Sequence, residues 1–290
     1  MNRARAGLRD AKPAVMLPVQ PPRGQHTMRW TIAAACALAL FAGMAARAEE
    51  ETAMETGFLN VTTTVGDETR RQVIYVPDDY TPEHAWPMIM FLHGAGERGD
   101  DGLIQTEVGI GSAIRRNKER FPAIVLFPQC PSGAYWNRTE GHLDALMDLA
   151  RERYHIDNDR VYLTGLSMGG YGCWTWGAAH AERWAAVMPI CGGGNVSDLN
   201  RLADEPIPED AYPKLRDRVV ALAKLPVWAF HGLDDKTVPP IRTKQMVRML
   251  EREGGHPKHT EYEGVGHDSW VRAYADPDVI EWLLEQKRGK

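Results

Sequence analysis

Cysteine is scarce, with four residues in 290. Cys36 falls in an N-terminal leader, which leaves Cys130, Cys173 and Cys191. An odd set of three can form at most one bridge, so no disulfide framework carries the fold. The other reading is three small buried side chains. An excess of basic charge is missing too: the chain is net −5, which argues against nucleic acid or an anionic membrane as partner. The His- and Glu-rich stretch 251–267 lacks the H-E-x-x-H pattern of a zinc hydrolase, and no metal or other cofactor is expected. Internal repeats, low-complexity tracts after residue 48 and linker-like segments are all absent. One domain is the expectation for residues 49–290, with length enough for a sizeable core.

The leader itself is legible. Met28-Arg-Trp leads into the apolar run Ile32 to Met44, then Ala46-Arg-Ala48, a small-x-small cleavage pattern. The run is too short to span a bilayer as a stable helix. Residues 28–48 are therefore expected to be a signal peptide cut near Ala48, giving a periplasmic or extracellular protein that starts at Glu49 and has no membrane segment. Residues 1–27, rich in Arg and Pro, precede it. They read as a mis-assigned start, with translation beginning at Met28, or as a disordered extension.

Periodicity then predicts alternating elements. Phe58–Thr64 and Arg70–Val76 read as a hairpin around Gly66-Asp67. Met88–Leu92, Ala123–Phe127, Val161–Thr164, Ala185–Ile190, Val227–Phe230 and His259–Glu263 read as short strands. Helices are expected over 109–117, 143–154, 213–223, 239–253 and 277–286, the second from apolar residues at i, i+3, i+4, i+7 and i+11. Strands alternating with helices imply an α/β domain, a largely parallel sheet covered on both faces, with the antiparallel hairpin at its start.

The stretch around Ser167 organises the rest. Gly165-Leu-Ser167-Met-Gly169 sits between an apolar strand and an apolar helical run, where G-x-S-x-G lifts a serine hydroxyl above the sheet edge. Such a hydroxyl needs a base, and the base needs an acid to orient it. Ten histidines compete. Those in the leader, in helices or away from glycine turns drop out; His93 and His231, each before a glycine, read as loop braces; His256 lies on the wrong edge and His259 inside a strand. His267, in a glycine loop past the last strand, remains. On spacing alone either Asp234 or Asp235 could be the acid. The oxyanion needs two backbone N–H donors, which falls to Met168 after the nucleophile and to Ala95, or Gly96, in the early glycine turn. Tyr135, Trp136 and Trp270 lie in loops at the same edge, where they either wall a substrate cleft or pack the loops. Trp174 and Trp176 read as core residues. Glu97 and Arg98 read as a pair bracing their turn.

Several of these pieces together resemble the α/β-hydrolase superfamily, specifically small secreted carboxylesterases, feruloyl esterases and polyhydroxybutyrate depolymerases. They are His93-Gly-Ala-Gly-Glu-Arg-Gly99, Pro128-Gln-Cys-Pro131, Gly165 to Gly170, His231-Gly-Leu-Asp-Asp235, Val238-Pro239 and Gly264-Val-Gly-His267. The resemblance implies an α/β-hydrolase fold and favours Asp235 as the acid, the fifth residue of its H-G-x-x-D motif. It also implies a serine hydrolase acting on carboxylic esters. The polar interval Gly194–Lys224, which lacks the apolar face of a lipase lid, and the aromatic residues Tyr135, Trp136 and Trp270 at the edge point to short acyl or aryl esters, carried by small molecules or by a polymer. A peptidase of the prolyl-oligopeptidase type shares the motifs. A catalytically dead binding module on the same fold is the non-enzymatic rival.

Overall fold

The computed structural model describes residues 54–194 and 219–289. The expected signal peptide, the segment before it, and residues 213–218 of one expected helix lie outside the described residues; 219–223 are helical. In chain order the elements are β1 (Gly57–Val65), β2 (Glu68–Val76), β3 (Trp86–Leu92), α1 (Gly109–Arg116), β4 (Ile124–Phe127), α2 (Glu140–Arg153), β5 (Ile156–Leu166), α3 (Met168–Ala179), β6 (Ala186–Ile190), β7 (Trp228–Gly232), α4 (Ile241–Arg252), β8 (Lys258–Tyr262), α5 (Trp270–Ala275) and α6 (Pro277–Glu285).

The strands make one eight-stranded sheet in the order β1-β2-β4-β3-β5-β6-β7-β8. β1 with β2 and β2 with β4 are antiparallel; the remaining pairs are parallel. The hairpin turns at Gly66, whose φ of 59° lies in the left-handed region that tight hairpin turns require. β3 is buried along its whole length, as expected of a strand covered on both faces. α2, α3 and α4 cover one face through Leu143, Leu146, Trp174, Met246 and Leu250. α1, α5 and α6 cover the other through Ile110, Ile114, Tyr274 and Ile280. This is the α/β-hydrolase architecture, with the carboxyl ends of the parallel strands gathered at one edge.

Two differences from the periodicity reading have physical causes. β5 starts at Ile156 rather than Val161: Asp157 and Arg160 are polar but pair with each other at 2.7 Å, and Arg160 also donates to Ala85 O at 3.0 Å, tying the extension down. Trp270, expected in a loop, instead opens the short helix α5. The helix spans six residues, under two turns, too few for a helical period to emerge. Its buried Tyr274 holds it in place, with the hydroxyl 2.8 Å from Thr164 Oγ1. Cys130, Cys173 and Cys191 are all buried and free. Burial pushes their thiols up, Cys130 to about 11, so none is an ionised nucleophile near neutrality. No helix among the described residues is long and apolar enough to cross a membrane.

Candidate active site

Ser167 stands between β5 and α3 with φ 52° and ψ −115°. A serine pays strain in that region, and it persists only because the surroundings over-determine it. Neighbouring glycines do so. A Cβ on Gly169 would lie 1.8 Å from Leu92 O, and one on Gly165 2.6 Å from the same atom. Strand β3 thus presses against the turn where no side chain fits. From below, the Ser167 N–H donates to Ile190 O at 3.0 Å, with Cys191 Sγ at 3.3 Å. Cys191 is the other described non-glycine residue at positive φ, 43°. No sequence pattern marks it.

The loop after β8 brings His267 over the serine, with Nε2 2.9 Å from Ser167 Oγ. Nδ1 lies 2.7 Å from Asp235 Oδ2. An ionised carboxylate only accepts, so Nδ1 carries the hydrogen and Nε2 keeps its lone pair toward the hydroxyl. Asp235 is buried in the turn after β7. Burial alone would raise its carboxyl; hydrogen bonds from His231, His267 and the Val238 N–H outweigh that and hold it well below the usual carboxylate range. Its Oδ1 accepts from Thr237 N at 2.8 Å and Val238 N at 2.9 Å, and Oδ2 also faces His231 Nε2 at 3.1 Å. Asp234, the alternative on spacing, is exposed. His231 braces the same turn through Thr243 Oγ1 at 2.7 Å, and Thr243 donates to Gly192 O at 2.7 Å.

Across the serine, the turn after β3 opens with Gly94 and continues as a 3-10 turn, Ala95–Glu97. Ala95 and Gly96 are exposed there. Met168 opens α3, where the first backbone N–H groups have no partner inside the helix. The early turn is pinned from beneath. Buried His93 is pulled down to about 4 by desolvation and stays neutral. Its Nε2 accepts the Cys130 N–H at 2.9 Å, so Nδ1–H points at Gly94 O, 2.6 Å away. Gln129 Nε2 donates to Glu97 O at 3.1 Å. Glu97 and Arg98 brace the turn separately instead of as a pair. Arg98 reaches Ala95 O and Ala134 O at 3.0 and 3.3 Å; Glu97 Oε2 stands 4.0 Å from His93 Nδ1, and burial raises its carboxyl.

The aromatic residues divide. Trp136 is 2% exposed; its Nε1 donates to His93 O at 3.1 Å and its ring meets the His93 ring edge-on at 4.7 Å. It packs the loop and offers no face to a substrate. Tyr135 is half-buried beneath the Arg98 guanidinium, 5.7 Å from its ring centre. Trp270 is half-buried and meets the His267 ring edge-to-face at 5.4 Å. Trp174 and Trp176 lie in the core. Among the described residues, Cys191, Asp235 and His267 form the cluster of metal-capable atoms, all within 4.8 Å of one another; two of the three are already bonded to each other.

A strained serine at the elbow of this sheet, with an imidazole and a buried carboxylate in line behind it, defines a protein of the α/β-hydrolase class. Residues 142–287, which hold all three groups, match the prolyl oligopeptidase family, and the chain belongs to it. Among solved structures it resembles a thermostable esterase, at 32% identity and TM-score 0.67, over 80% of this chain and 63% of that one. Among characterised sequences it is 28% identical to a poly(3-hydroxybutyrate) depolymerase of Ralstonia pickettii, over 31% of this chain and 22% of that protein. It is also 28% identical to a bifunctional acetylxylan esterase/xylanase of Neocallimastix patriciarum, over 67% of this chain and 30% of that protein. The chain thus spans less than a third of the length of either relative.

Proposed function

We propose that this protein is an exported serine hydrolase cleaving carboxylic esters. The observation that carries the reading is the unbroken relay from Ser167 Oγ through His267 to Asp235, at 2.9 and 2.7 Å. Ser167 attacks the ester carbonyl as His267 Nε2 takes its proton. Asp235 holds the imidazole in the reactive tautomer and stabilises the imidazolium that forms. The N–H groups of Ala95 and Met168 receive the charge that develops on the carbonyl oxygen. His267 then returns the proton to the departing alcohol, and water, deprotonated by the same imidazole, releases the acid from Ser167. Short acyl and aryl groups are the proposed acyl portion, with Tyr135 and Trp270 flanking the cleft. The leader at 28–48 supports export. The family's name favours a second reading, a peptidase, and parallel assays on ester and anilide substrates separate the two.

Ser167→Ala should lower ester kcat by roughly 10⁴- to 10⁶-fold and abolish labelling by a fluorophosphonate, with the thermal unfolding midpoint little changed. Ester hydrolysis that stays within about tenfold of wild type refutes the assignment.

A further inference from the structure

The hairpin β1/β2 reaches past the end of its neighbour. β2 runs antiparallel to β4, and Val73 pairs with Phe127, the last residue of β4. Residues 68–72 therefore project beyond the carboxyl end of β4, on the sheet edge where Ser167 stands. Between this projection and the turn after β3 lies a cavity of about 460 Å³, lined among others by Thr62, Glu68, Arg70, Arg71, Asp100 and Gln129. Thr62 and Arg71 also line an adjoining cavity of about 470 Å³. Gly99 contributes to the first cavity's wall, while a Cβ on Gly94 would stand 3.6 Å from Ser167 Cβ. Those two glycines are five residue steps apart, at most about 17 Å, so the cavity lies within reach of a molecule whose ester bond is at the serine.

The lining has a definite chemistry. Arg70 uses Nε on Glu68 Oε1 at 2.8 Å and lines the cavity together with Arg71. Donors (Arg70, Arg71), acceptors (Glu68, Asp100) and the Thr62 hydroxyl surround one space, and no aromatic or large aliphatic side chain lines it. A ligand here must both donate and accept at closely spaced positions, which is what vicinal hydroxyls do. A polyester chain has carbonyl acceptors but no donors, and would leave Asp100 desolvated without a donor from the ligand, a costly arrangement. A polyanion would meet the carboxylates of both Glu68 and Asp100. We propose that this cavity is a saccharide subsite, binding the sugar residues to which a scissile acyl group is attached. The proposal rests on the esterase reading and chooses, between the polymers named for the two relatives, the polysaccharide over the polyester.

The test compares p-nitrophenyl acetate with an acetylated xylo-oligosaccharide in the full chain. Wild type should favour the oligosaccharide ester through KM. Thr62→Trp, which fills the cavity, and Arg71→Ala should each lower kcat/KM for it by roughly tenfold, leaving p-nitrophenyl acetate within about twofold. Calorimetric titration of xylohexaose into Ser167→Ala should show binding that Thr62→Trp removes. Oligosaccharide hydrolysis and binding unaffected by both substitutions, or preferential cleavage of a 3-hydroxybutyrate oligomer, overturns the subsite. Thr62-dependent xylohexaose binding in a protein that hydrolyses neither ester supports the subsite and sinks the esterase reading alone.

Discussion

Asp235 has four hydrogen-bond partners at once, two imidazoles and two backbone N–H groups. That crowding explains how a carboxylate with no exposed side-chain surface stays ionised: each donor favours the charged form, and together they outweigh desolvation. It also makes the residue hard to replace. Asp235→Asn keeps the shape but presents an amide N–H to one of these donors, and the imidazole loses the partner that sets its tautomer. The expected loss in kcat is about 10⁴-fold, whereas Asp234→Asn, at an exposed position, should cost less than about twofold. Steady-state kinetics on one ester ranks the two; the reverse order would place the acid one residue earlier. Spacing alone left this pair open in the sequence, because both aspartates follow the same strand. What separates them is which side chain turns inward, a property of the turn's geometry that residue order does not carry.

Elements were legible where they were long or uniformly apolar. β3 and β6 are buried throughout, and their apolar runs announced it. The elbow was legible for a different reason: its glycines record a steric fact. Gly169→Ala drives a Cβ into the backbone carbonyl of Leu92, and neither β3 nor α3 can retreat without opening the core. A loss of stability on the order of 4 kcal/mol or more is expected, read as a fall in the chemical denaturation midpoint or as insoluble expression. A variant as stable as wild type would mean that strand and helix do not meet as described. The illegible parts were governed by tertiary contact. Trp136 sits in a loop by sequence but is drawn under the early turn by its bond to His93 O, and α5 is set by Tyr274; neither has a local signal. Cys191, with a positive φ and its Sγ 3.3 Å from Ser167 N, likewise has no local signal.

For the whole molecule the open question is how large an acyl group enters. The interval 194–224, where related hydrolases carry lids, includes Asp198, Arg201, Asp204, Glu205, Glu209 and Asp210. Residues 195–218 lie outside the described structure; from its composition alone the segment is not expected to supply the broad apolar face that a lipid-interface lid needs. Esters of acetate, butyrate or hydroxycinnamate should be cleaved with higher kcat/KM than esters of about sixteen carbons, with no rise in rate at the micellar threshold. A chain-length series with a maximum at the long end would reveal a lid or tunnel. Ser167 and His267 meet in space although they stand 100 positions apart along the chain. Closing a loop of that length costs chain entropy that is recovered only when β7 and β8 dock beside β6. Until they do, a refolding molecule has Ser167 without His267 above it. With Ser167 and His267 acting as proposed, recovery of ester hydrolysis on refolding should follow the docking of the last two strands, so hydrolysis would serve as a clock for the completion of folding.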